Sequence, residues 1–147
     1  MIVNRQHRVR VSVKALGEFL AGAQSALRLP RESLVVCLVT NAQIARWNRA
    51  YRGKHAPTDV LSFPARAKPA GRGKPRSTAR TTAYLGDIAI APAVAQRNAR
   101  RFGRTFAQEM RILILHGILH LMGYDHETDA GQMDRRERRL RSKLGLA

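Results

Sequence analysis

The chain has little with which to cross-link itself and few groups that carry negative charge. One cysteine, Cys37, stands among 147 residues. That excludes a disulfide within the chain and leaves too few thiols for a zinc site built on cysteine. Its apolar neighbours predict a small core residue. Asp and Glu number 10 against 27 Lys and Arg, a net charge of +17. Such a surface attracts polyanions, either nucleic acid or anionic lipid. No apolar run reaches the roughly 20 residues of a membrane-spanning helix. The N-terminal segment resembles a secretory leader only superficially, because Lys14 and Glu18 interrupt its apolar stretch and Arg28 follows before any clear cleavage site. A cytoplasmic protein without a membrane partner is therefore expected. No repeat is visible, and the length suits a single domain over residues 1–147 with one core.

Histidine is also scarce, yet three of the five fall between positions 116 and 126. They lie in Met110-Arg-Ile-Leu-Ile-Leu-His116-Gly-Ile-Leu-His120-Leu-Met-Gly123-Tyr-Asp-His126. Ahead of this stretch, Thr105-Phe-Ala-Gln108 reads as a capping box, and the apolar run to Met122 suits a buried helix. His116 and His120 then project from one face, one turn apart. Gly123 sits where a helix ends on a residue of positive φ, and the turn can bring His126 back toward the first two. Three such imidazoles suit zinc or a similar divalent ion, one per chain, with a fourth position open to water. The spacing is that of the long zincin motif, except that Gly117 stands where the peptidases carry a Glu general base. Packing or capping histidines are the plain alternative, and the clustering disfavours it.

The rest of the chain alternates between strand and helix patterns. Val9–Val13 reads as a strand with one solvated face, and 15–27 as a helix closed by Pro30. The β-branched run from Ser33 to Val39 suits a central strand buried on both faces. Thr40-Asn-Ala-Gln43 opens a helix through Ile44, Trp47, Asn48 and Tyr51, stopping near Gly53. Val60–Phe63 is a short strand ended by Pro64. Residues 66–82, rich in Gly, Pro and Arg, read as a mobile basic loop. Tyr84–Ile90 resumes as a strand. Pro92 opens a helix that Gly103 stops. Thr128 or Asp129 caps a last helix, whose apolar line is Met133, Leu140 and Leu144. The order βαβαββααα predicts an α+β domain: a small mixed four-stranded sheet packed with about five helices, one of them a zincin-like metal-binding helix.

The motifs Tyr51-Arg52, Pro57-Thr-Asp-Val-Leu-Ser-Phe-Pro64, Leu85-Gly-Asp-Ile88 and His116 through His126 occur in this order. Together they resemble the YbeY family of bacterial endoribonucleases, from about Val35 to Leu144. The resemblance implies a metal-dependent nuclease preferring single-stranded RNA. Its roles would be maturation of the 3′ end of 16S rRNA, on the small ribosomal subunit, and ribosome quality control. It implies zinc on His116, His120 and His126, a functional arginine at Arg52, and as partners a ribosomal protein and a ribosome-associated GTPase. The loop at 66–82 is longer and more basic than the family's usual one.

Three neutral ligands leave a metal its full charge, which suits phosphodiester hydrolysis, where negative charge builds in the transition state. His116 thus counts among the catalytic residues. Arg52 by itself would pass for an ordinary surface arginine; on the resemblance it is expected to bind the substrate, its planar guanidinium donating two parallel hydrogen bonds to the scissile phosphate. Asp125 can orient a ligand imidazole through its second nitrogen or cap the following helix. No general base is evident. Glu137 shares the apolar face of the last helix, which allows burial near the histidines, but a surrounding arginine is its expected partner. Asp59 and Asp87 are expected at turns and strand ends. The basic segments 66–82 and 97–104, with the Arg-rich last helix, could follow a phosphate backbone or form a solvated face. The alternatives are a zinc metallopeptidase-like hydrolase and a non-catalytic RNA-binding protein with structural zinc.

Overall fold

The computed structural model describes residues 1–53, 58–65, 84–124 and 130–146. Its elements follow the expected order: β1 (Ile2–Asn4), α1 (Val13–Ala26), a 3₁₀ turn (Arg31–Ser33), β2 (Leu34–Leu38), α2 (Asn41–Arg52), β3 (Val60–Pro64), β4 (Gly86–Ile90), α3 (Pro92–Phe102), α4 (Phe106–Leu121) and α5 (Gln132–Lys143). The sheet runs β1-β2-β4-β3. Its β1–β2 and β2–β4 pairs are parallel, and β3 joins β4 antiparallel, so the sheet is mixed.

Local chemistry accounts for the helix ends. Thr40 accepts from the Gln43 N–H at 3.1 Å. At α4 both halves of the box form: Thr105 accepts from the Gln108 N–H at 3.1 Å, and the Gln108 side chain accepts from the Thr105 N–H at 2.9 Å. Gly53 and Gly103 end their helices in the left-handed conformation.

Three expectations need correction. Val9–Val13 is not a strand. The buried Gln6 amide accepts from the Val9 N–H and donates to the Val9 carbonyl, at 3.0 Å each, which occupies the groups a ladder would use. Ser12 then caps α1, and the first strand is Ile2–Asn4 instead. Secondly, β2 is buried on one face only. Leu34, Val36 and Leu38 are buried, whereas Val35 and Cys37 are half-buried, because α2 covers only part of the second face. Thirdly, α5 begins at Gln132 with Gly131 at its cap position and no side-chain cap. Thr128 and Asp129 lie outside the described residues, as do residues 66–82, expected to form a mobile loop.

One face of the sheet carries the main core, where Val36, Ile88 and Ile90 meet Leu20 of α1, Ile114 and Ile118 of α4, and Met133 of α5. A smaller core on the other face joins Leu61 and Ala89 to Ile44 of α2 and Val94 of α3, with Trp47, Phe63 and Cys37 packed against it. Helix α4 is the central member of the main layer. Each fully buried aliphatic side chain on it contributes about 1.5–3 kcal/mol, which fixes the helix that carries His116 and His120.

Candidate functional site

Helix α4 lies against the sheet through a glycine. An added Cβ at Gly117 would stand 2.9 Å from both Cδ1 and Cγ2 of Ile88, a buried side chain of β4. The contact is reinforced beside it, where the Ser62 hydroxyl donates to the Gly117 carbonyl at 3.1 Å. With position 117 turned into the sheet, positions 116 and 120 turn toward its β3 edge. The His116 and His120 rings stand 4.8 Å apart at 75°.

Both rings open on a cleft of about 350 Å³ whose other walls are β3 and the end of α2, including Tyr51, Arg52, Ser62 and Phe63. Strand β3 is an edge strand. Ala91 donates to the Asp59 carbonyl at 3.0 Å, and Ala65 to the Leu85 carbonyl at 2.9 Å. Alternation along an antiparallel pair therefore turns the backbone groups of Val60 and Ser62 away from β4, toward the open edge. Arg52 is exposed in the last turn of α2, where a cation is favoured by the helix dipole.

Glu137 of α5, 14% exposed, holds His116 from behind: its Oε1 lies 3.0 Å from Nδ1. Accepting from Nδ1–H fixes the tautomer in which Nε2 carries the lone pair that a metal requires. The expected arginine partner is present as well, Arg141 Nη1 standing 3.5 Å from Glu137 Oε2. Glu137 thus meets both alternatives that its place on the apolar face allows, burial beside the histidines and the favoured arginine partner. Asp59 accepts from the Asn98 side chain at 3.1 Å, and Asp87 accepts from the Tyr84 hydroxyl, both at strand ends as expected. Cys37, expected in the core, is half-buried on the sheet face opposite α4. Burial pushes its thiol above the usual range, with Asp87 adding to the effect and Arg5 opposing it.

The cleft thus gathers Arg52, His116 and His120. His126 and Asp125 lie outside the described residues. Among the described residues no group of three His, Cys, Asp or Glu side chains could hold a metal. The pair itself suits a divalent ion: two imidazoles one turn apart on a rigid helix, one backed by a carboxylate, facing open space. Sequence reasoning missed Ser62 and Phe63 as cleft residues, since only the sheet order reveals that β3 is an edge.

Fold and cleft define an α+β domain with a helix-borne histidine pair facing an edge strand and an arginine. A family described as Endoribonuclease YbeY matches residues 1–145. Similar curated proteins bear the same name, "Endoribonuclease YbeY". One from Koribacter versatilis is 38% identical over 146 residues, 99% of this chain and 86% of that protein. One from Solibacter usitatus is 47% identical over 106 residues, 72% of this chain. The match spans 62% of that relative's length. A solution structure of a Thermotoga maritima protein superposes with a TM-score of 0.58 at 28% identity, covering 98% of this chain and 89% of that one. The chain belongs to the YbeY endoribonuclease family. No described helix is long and apolar enough to cross a membrane.

Proposed function

We propose that the chain is a zinc-dependent endoribonuclease that hydrolyses phosphodiester bonds in single-stranded RNA. Its substrate is ribosomal RNA at the 3′ end of 16S rRNA on the small subunit, and it serves ribosome quality control in the cytoplasm. A ribosomal protein and a ribosome-associated GTPase are its proposed partners. One observation carries the reading: His116 and His120 share a cleft with Arg52. Family membership and the net charge of +17 support it.

His116, His120 and His126 would hold the ion. Bound there, zinc supplies the Lewis acidity that phosphodiester hydrolysis needs. Arg52 grips the scissile phosphate through paired N–H donors and stabilises the charge that grows on it. Glu137 keeps the His116 ring oriented. Asp125 takes the same supporting role toward a second ligand imidazole.

The peptidase reading is opposed by Ile88, which fills the space a Glu at position 117 would enter. A closed structural zinc is opposed by the open cleft. Cys37 is no fourth ligand, since strand alternation places it on the sheet face away from α4.

The test is cleavage of one labelled RNA, offered single-stranded and as a duplex. The wild type should cut the single strand; His116→Ala and chelated protein should not. Arg52→Ala should lose roughly 100-fold or more in cleavage, in line with removal of a donor to transition-state charge, at unchanged zinc content. Cleavage that survives both chelation and His116→Ala would eliminate the metal mechanism, and full activity in Arg52→Ala would remove that arginine from it.

A further inference from the structure

Tyr51 immediately precedes Arg52 and is the most exposed aromatic residue among those described, at 69%. An aromatic ring left so far in water gains little for the fold, yet this one is held in place. Its centroid stands 4.7 Å from that of Phe63 at 64°, and Phe63 in turn meets Trp47 at 5.7 Å and 85°. Trp47 and Tyr51 are four residues apart on α2 and so share a helix face. Such edge contacts restrict a ring without covering it.

These rings border two spaces. Tyr51 and Phe63 line the histidine cleft, and the same two residues line a second cleft of about 270 Å³ with Trp47 and Asp87. Tyr51 and Phe63 are therefore the wall that the two clefts share. Each cleft carries one carboxylate, Asp59 in the first and Asp87 in the second, but among the described lining residues only the first has an arginine, Arg52, to attract phosphate. Asp87, which accepts from the Tyr84 hydroxyl, has further lone pairs to offer N–H donors.

We propose that the aromatic cleft is a nucleobase subsite, in which one unpaired base of a single-stranded RNA stacks on Tyr51 while its phosphate lies at Arg52. The inference rests on the nuclease reading of the histidine cleft and names what holds the strand there. A duplex keeps its bases stacked and paired and cannot offer one to the cleft, so the subsite is a source of single-strand preference. Asp87 favours a base edge that presents an amino or imino donor.

The experiment uses a short fluorescein-labelled single-stranded RNA and a series in which each nucleotide in turn lacks its base. Binding is read by anisotropy after chelation, so that the strand is not consumed, and cleavage is read separately with zinc. Base–aromatic stacking by alanine substitution corresponds to about 5- to 150-fold in binding. Tyr51→Ala should lose that factor, and Tyr51→Phe should stay within about twofold of wild type because the stacking face remains. Tyr51→Leu keeps apolar bulk against Phe63 but has no π face, and should bind as weakly as Tyr51→Ala. For the wild type, one abasic position should bind weakly; for Tyr51→Ala that penalty should vanish. An abasic penalty unchanged in Tyr51→Ala, wild-type binding by Tyr51→Leu, or no RNA binding at all overturns the proposal. If the stacking signature holds and no RNA is cut, the nuclease reading falls and the subsite stands.

Discussion

Replacing Gly117 by alanine should destabilise the protein, against the usual trend for a helical glycine. Helix propensity favours alanine by about 1 kcal/mol. Against this, the new Cβ would lie 2.9 Å from two atoms of Ile88 and 3.1 Å from a third. Carbon atoms pack best at roughly 3.5–4.0 Å, so three contacts are compressed at once. Ile88 has nowhere to retreat: it is fully buried, and its strand is paired on both sides, to β2 and β3. Overpacking of this kind costs about 1–3 kcal/mol, and with three atoms engaged the upper part of that range applies. The net loss should be about 1–2 kcal/mol, or a fall in Tm of about 2–8 °C for a domain of this size. Urea or thermal unfolding monitored by circular dichroism reads it directly. Ile88→Val removes Cδ1 and should rescue part of the loss, so the double variant should be more stable than additivity predicts, by about 0.5–1 kcal/mol. A Gly117→Ala protein more stable than wild type, or strict additivity with Ile88→Val, would refute the close-approach argument. The same geometry predicts that Gly117→Glu gains no peptidase activity, because its side chain would be driven into the sheet.

Glu137→Ala should weaken zinc affinity about 10- to 100-fold by freeing the His116 ring, measured by chelator competition; undiminished affinity would mean that the carboxylate serves only Arg141. RNA affinity should fall steeply with salt, linearly in log–log form with a slope of about −0.7 per phosphate contacted; a flat titration would show that the arginines do not touch the strand. Because burial and the neighbouring Asp87 raise the Cys37 pKa, alkylation of native protein at pH 8 should be slower than that of free cysteine and accelerate only at more alkaline pH. By linkage, the folded state holds this proton more tightly than the unfolded state, so the contribution of Cys37 to stability is full below the ordinary thiol pKa and is lost as pH rises through the higher folded value. Equal alkylation rates at pH 8 would contradict the burial.

Helix ends were readable and long-range contacts were not. The caps at Thr40 and Thr105 and the stops at Gly53 and Gly103 depend on a few neighbouring residues, and each stands where the sequence places it. The first strand depends on Val36, Cys37 and Leu38, more than thirty positions away in sequence, so Ile2–Asn4 left no periodic trace. Val9–Val13 alternates like a strand, but its outcome was decided by the Gln6 amide and the Ser12 cap, two local competitors that alternation does not register. In the cleft, the i, i+4 spacing placed His116 and His120 together. The participation of β3 required the sheet order, and the hold of Glu137 on His116 spans 21 positions. That contact left one clue, an acidic residue in line with Met133 and Leu140.

The two histidines ride on the helix that also forms the heart of the main core, with Ile114, Leu115, Ile118 and Leu119 all fully buried. Their spacing is consequently set by folding itself and cannot relax without opening the domain, so amides along this helix should be the slowest to exchange with solvent. Tyr51 and Arg52 occupy the opposite bank, exposed on the final turn of a helix that the left-handed Gly53 closes. The histidine bank is thus anchored in the core, whereas side chains on the bank beside it can be exchanged without opening the domain.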